Sequence, residues 1–170
     1  MHDLGAETLR LEFLAGDDEM MSSRRGVVGF SIFSTCTLAV VSLFQAGILK
    51  RLPPHTKLFN SELVHGSRLA FSMPVKAPDA VLGMASYSAT ACLAAIGTAD
   101  RVKTARYLPI AMGAKCIIDA SLGAWLGVEQ WKRFRTFSPW SLAVLAASCA
   151  SLVLAKREVG AALRGVDPHK

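Results

Sequence analysis

Apolar residues in this 170-residue chain gather into long blocks separated by short polar stretches. Four apolar runs stand out, at Gly26–Leu49, Ala80–Ala99, Tyr107–Val128 and Pro139–Ala155. A helix that crosses a bilayer needs ~17–25 predominantly apolar residues. The first three runs reach that length, and Phe137 and Trp140 extend the fourth into the interface. The charges fall between the runs: Lys50, Arg51, Lys57, Arg68 and Lys76, then Arg101, Lys103 and Arg106, then Lys132, Arg133 and Arg135. That alternation predicts an all-α integral membrane protein, a four-helix bundle with solvated connections. A polar N-terminal segment (1–25) and a polar C-terminal tail (158–170) flank a membrane domain at 26–157.

The connections differ in character. In the N-terminal segment, Leu4, Leu9, Leu11, Phe13 and Leu14 fit a short amphipathic surface helix, or a disordered tail. Ser23-Arg24-Arg25-Gly26 has the look of a twin-arginine export signal, but the run after it is too long and lacks a small-residue cleavage site. Those arginines therefore read as the cytoplasmic flank of a spanning helix. The first connection, Lys50–Ala77, is the longest; Pro53 and Pro54 stop the preceding helix. Its apolar Leu58-Phe59, Leu63-Val64 and Leu69–Phe71 predict a partly helical extramembrane loop over the bundle mouth. Pro78 opens the second span. Four spans put both termini on one side, with ten Lys and Arg there and eight on the other. The bias orients both termini to the cytoplasm, and the host reads as a bacterial inner membrane.

Composition sharpens this picture. The chain is 52% hydrophobic, with a mean hydropathy of +0.36, and still 19% charged. A net charge of +6 points to anionic headgroups as neighbours. No segment carries the dense basic face of a nucleic-acid binder. Cys36, Cys92, Cys116 and Cys149 each fall in a different run and read as small buried hydrophobes. Neither metal-ligand spacing nor a disulfide framework is present among them.

Inside the membrane segments, small residues predict close helix packing: Gly123 and Gly127 form G-x-x-x-G, and Ala143, Ala147 and Ser151 repeat the spacing. Tyr107, Trp125, Trp131 and Trp140 suit an aromatic belt. Lys115 and Asp119, four apart, share a helical face in the third run. Each alone costs roughly 2.5–3.5 kcal/mol at mid-bilayer. They read as a neutralised pair joining helices, or as a polar contact to a ligand headgroup or a proton path. Asp79 stands at the start of the second span, where the helix dipole favours an acid.

Three stretches resemble the vitamin K epoxide reductase family. Lys76–Tyr87 is similar to the family's P-N-A-x-x-G entry to its second span, including the Tyr that follows. Lys115, Asp119 and Glu129-Gln130-Trp131 follow its polar pattern in span three. Phe137-Ser138-Pro139-Trp140-Ser141-Leu142-Ala143 is similar to its C-x-W-C-L opening of span four. The Leu58–Glu62 segment falls where the family places its extracytoplasmic loop. Together these cover about residues 26–157. The resemblance implies a four-helix membrane bundle that holds a quinone. In the family a C-x-x-C pair at the bundle mouth passes electrons between the quinone and thiols. Here those two positions are Ser138 and Ser141, and the long loop has no cysteine. A hydroxyl forms no disulfide, and serine is a poor nucleophile without an adjacent base; nothing in the sequence brings His65 of the long loop to Ser138. The family's quinone-contacting Asn is Asp79, and a Tyr found in some members is Leu145.

The leading expectation is a quinone- or isoprenoid-binding membrane protein without thiol–disulfide chemistry and without a metal. Its ligand would be lined by Asp79, Trp140, Ser138 and Ser141, with Lys115 and Asp119 deeper in the bundle. Two alternatives are an accessory subunit packed against membrane-protein partners, and a quinone-dependent thiol oxidoreductase whose active-site cysteines have been replaced. A transporter is disfavoured, since the broken helices typical of one are not evident.

Overall fold

The computed structural model describes residues 18–52 and 79–165, together with Glu7, Arg10, Leu11, Leu14 and Ala15. The long loop from residue 53 on, with His65 and the Leu58–Glu62 segment, lies outside the described residues, as do Pro78, Leu4, Leu9, Phe13 and residues 166–170. The described chain is helical: α1 (Glu19–Gln45), α2 (Asp79–Ala95), a single-turn α3 (Arg101–Thr104), α4 (Tyr107–Phe134) and α5 (Pro139–Arg164). By length and composition, α1, α4 and α5 can cross a membrane. At 17 residues, α2 sits at the lower bound for doing so.

Helix ends follow local chemistry more than the edges of the apolar runs. α1 begins seven residues before Gly26 and ends where Gly47 takes a left-handed φ of 77°. α2 stops at Ala95, before a turn through Gly97 at φ 92°. α5 starts at Pro139, after extended Ser138, with the fixed φ of proline suited to a first helical position. It continues nine residues beyond the apolar run, to a left-handed Gly165.

Side-chain contacts set the directions. The start of α1 meets the end of α2 through Arg24 and Ala94, and its end meets the start of α2 through Gln45 and Ala80. Arg157 pairs with Glu19, so α5 runs antiparallel to α1. Gly113 faces Val159, so α4 runs antiparallel to α5. α1 packs on α2 and α5, and α4 packs on α5 and α2.

The interior combines apolar residues such as Val27, Val41, Phe44 and Met112 with many small and polar ones, while large apolar side chains also face outward. Ser31, Ser34, Thr37, Thr90, Ala147, Ser148, Ser151 and Ala155 are buried. Phe30, Ile32, Phe33, Ile117, Ile118, Trp125 and Val153 are exposed. Large apolar side chains facing outward, with small residues where helices meet, are the arrangement of helices packed in lipid, where association depends on close approach. The tightest approaches are at Gly26 against Leu154, Gly83 against Leu38 and Gly113 against Val159. Of the predicted G-x-x-x-G, Gly123 packs on Leu145, whereas a Cβ on Gly127 would meet nothing within 4 Å.

Two expectations need correction. Cys36, Cys92 and Cys149 are exposed and only Cys116 is buried, because an apolar outer face is tolerated in lipid and the other three fall on the outward sides of their helices. Arg24 and Arg101 are not solvated flanks but among the most buried side chains, at 1% and 0% exposure.

Candidate functional site

Buried polar groups occupy three levels along the helices. The first lies where α2 and α5 begin and α1 and α4 end. Ser138 is fully buried, and its hydroxyl has no hydrogen-bond partner among the described residues. Gln130, near the end of α4, spans the two serines. Its Oε1 accepts the Ser138 N–H at 3.4 Å, and its Nε2 donates to Ser141 Oγ at 3.1 Å. Trp140 packs against the cluster of Val41, Phe44, Leu52 and Ala80. Ala80, next to Asp79, donates its N–H to Gln45 Oε1 at 3.3 Å. The fold therefore brings Asp79, Trp140, Ser138 and Ser141 to one end of the helices. Gln130 orients the Ser141 hydroxyl and holds the Ser138 backbone, but it takes a proton from neither serine, so they gain no nucleophilic activation from it.

The second level is at mid-helix. Lys115 and Asp119 form an ion pair across one turn of α4. Ser86 Oγ accepts from Lys115 Nζ at 2.6 Å and donates to Asp119 Oδ1 at 2.8 Å. Thr90 Oγ1 donates to Asp119 Oδ2 at 2.6 Å. Both carboxylate oxygens are thus engaged from α2, and the charge is offset from its own helix. Beside them Tyr87 hydrogen-bonds Ser148 at 2.7 Å, and Ser148 donates to the Val144 carbonyl at 2.9 Å. Ser31, Cys116 and Ser151 complete the lining of this seam, which is packed too closely to admit even a water molecule. Ligand pockets are typically ~300–1,000 Å³, so the seam offers no room for a quinone. Asp119 is also eleven residues, ~16 Å of helical rise, from Gln130. The sequence-predicted residues therefore divide into two separate groups.

The third level closes the opposite end. Arg24 Nε donates to the Ala94 carbonyl at 2.9 Å. Its terminal nitrogens reach the carbonyls of Ala95, Ile96, Gly97 and Thr98 at 2.8–3.2 Å. Arg101 adds bonds to Leu93, Ala94 and Ile96, and forms a two-pronged pair with Glu158 at 2.5 and 2.7 Å. The last carbonyls of a helix lack internal partners and carry partial negative charge, and two guanidinium groups satisfy both needs here.

Three signals for these residues were present in the chain. Ser86 and Thr90 repeat the four-residue spacing of Lys115 and Asp119. Glu158 is an acid beyond a basic pair in a helix that continues past its apolar run. Gln130 was visible only as part of a motif.

The family model described as the vitamin K epoxide reductase family matches residues 25–156. The chain belongs to the vitamin K epoxide reductase family. No curated protein and no solved structure matches it. Membership of the vitamin K epoxide reductase family, with three helices fit to cross a bilayer, makes this an integral membrane protein. The family is associated with quinones. The matched span holds the Ser138 end and the mid-helix seam, while Arg24 and Glu158 lie just beyond its two ends. Among the described residues the four cysteines are free, and no group of three His, Cys, Asp or Glu side chains is placed to hold a metal.

Proposed function

We propose that this member of the vitamin K epoxide reductase family binds a quinone or another isoprenoid lipid at the Ser138 end of a four-span bundle, without thiol–disulfide exchange. The observation that carries the reading is Ser138 Oγ, a fully buried hydroxyl with no partner among the described residues. A buried donor left unpaired is costly, and a quinone carbonyl would satisfy it. Ser141, held by Gln130, and Asp79 offer further polar contacts, and the Trp140 ring supplies a flat apolar wall. Lys115 and Asp119, a separate group at mid-helix, tie α4 to α2 and take no part in this site. A quinone bound there would supply redox chemistry; the residues of this chain bind and orient it. Serine in place of the family's cysteine pair supports a binding role over disulfide exchange. We place the protein in a bacterial inner membrane, with both termini cytoplasmic.

The test is a titration of purified protein in mild detergent with ubiquinone and menaquinone analogues, together with solvent extraction of co-purified quinone. Wild type should retain quinone, and Ser138→Ala with Gln130→Ala should weaken it by roughly tenfold or more, the scale of one lost buried hydrogen bond. An empty protein at saturating quinone would sink the proposal.

A further inference from the structure

Two of the cations between α4 and α5 have no assigned work. Residues Trp131, Lys132, Arg133, Phe134 and Arg135 are all exposed in succession. Arg133 pairs with Glu129 at 3.0 Å. Lys132 and Arg135 have no acidic partner among the described residues. At the opposite end Arg101 pairs with Glu158, Lys103 with Asp100 and Arg157 with Glu19, while Arg106, Lys156 and Arg164 have no acidic partner among the described residues; what sets the α4–α5 turn apart is its aromatic pair.

The turn also has a defined shape. The Trp131 and Phe137 rings stack at 5.1 Å between centroids and 14° between planes. The Arg135 guanidinium lies over Trp131, 5.8 Å from its ring centre. Arg135 has a φ of 55°, a conformation that favours glycine at a helix end. The aromatic pair therefore fixes one cation in place and leaves its edge open. A guanidinium stacked on an aromatic face and open at its edge suits a phosphate group.

Depth in the bilayer identifies the occupant. The 28 residues of α4 extend ~42 Å. A hydrocarbon layer of ~30 Å centred on the helix takes about 20 of them and ends near Gln130. Trp131 through Arg135 then stand at headgroup level, with Trp131 and Phe134 at the acyl boundary. We propose that this turn is a binding site for the phosphodiester of an anionic phospholipid, with Arg135 and Lys132 on the phosphate and Trp131 and Phe134 against the upper acyl chain. The site is independent of the quinone reading.

The full chain would be reconstituted in nanodiscs of equimolar phosphatidylglycerol and phosphatidylcholine, released, and its retained lipids counted by native mass spectrometry. Wild type should retain phosphatidylglycerol over phosphatidylcholine by fivefold or more. Arg135→Gly and Lys132→Gln should each lower that ratio by roughly fivefold, the scale of one cation at a membrane surface. Arg135→Gly also relieves the backbone, so its loss of lipid cannot be ascribed to misfolding. Lys103→Gln with Arg106→Gln removes two charges at the other end and should leave the ratio unchanged. Equal retention of the two lipids by wild type, an equal loss in that control, or displacement of the lipid by excess inorganic phosphate would each overturn the proposal.

Discussion

Arg24 and Arg25 are adjacent cations that the sequence treats alike and the fold does not. Arg24 is 1% exposed and reaches five carbonyls at the end of α2. Arg25 bonds the Leu14 carbonyl at an exposed site. In Arg24→Ala the carbonyls of Ala94 and Ile96 keep Arg101, and Thr98 keeps the Arg101 N–H. Those of Ala95 and Gly97 keep no partner among the described residues. At ~1–3 kcal/mol for an orphaned buried acceptor, and with both of these carbonyls only part-buried, the loss is about 2 kcal/mol. That is about thirtyfold in the folding equilibrium. Arg25→Ala should cost under ~1 kcal/mol, as exposed polar contacts do. Arg24→Lys should recover only part, because an ammonium lacks the flat fork that serves five acceptors at once. Unfolding of each variant in mild detergent, followed by circular dichroism, measures the difference. Equal destabilisation by Arg24→Ala and Arg25→Ala would show that the pair acts only as a basic flank, and would refute the capping argument.

Glu158→Leu should destabilise the fold by ~3–5 kcal/mol by leaving Arg101 buried without its counter-charge, and adding Arg101→Met should cost less than the sum of the two single changes; a strictly additive double-mutant cycle would contradict the contact. Asp119→Leu should leave Lys115 unpaired at mid-bilayer at a cost of roughly 2.5–3.5 kcal/mol, and Lys115→Met in the same chain should restore most of it, read as detergent-resistant folded fraction. Gly113→Ala would bring a Cβ to 2.5 Å from the Val159 methyl and should cost ~1–3 kcal/mol, since valine has little rotamer freedom. Gly127→Ala meets open space and should be neutral or stabilising by up to ~1 kcal/mol; if both alanines behave alike in thermal melts, the α4–α5 packing is misplaced.

The sequence alone determined the solvent and the class. Long apolar blocks need no tertiary partner to declare a preference for hydrocarbon, so all-α membrane segments at three of the four runs were legible, as was the family from short motifs. The i, i+4 spacing of Lys115 and Asp119 sufficed to pair them, because one helix fixes that geometry by itself. Tertiary structure decided everything that depends on a second helix. It turned Arg24 and Arg101 from flanks into caps, because the carbonyls they serve lie at the end of another helix. It brought Glu158 to Arg101 across 57 residues and put Gln130 between two serines. It turned three cysteines outward, since lipid accepts any apolar face and only close packing selects which one is buried. A residue's hydropathy reports its affinity for a medium; which neighbour satisfies its hydrogen bonds is settled only when helices meet.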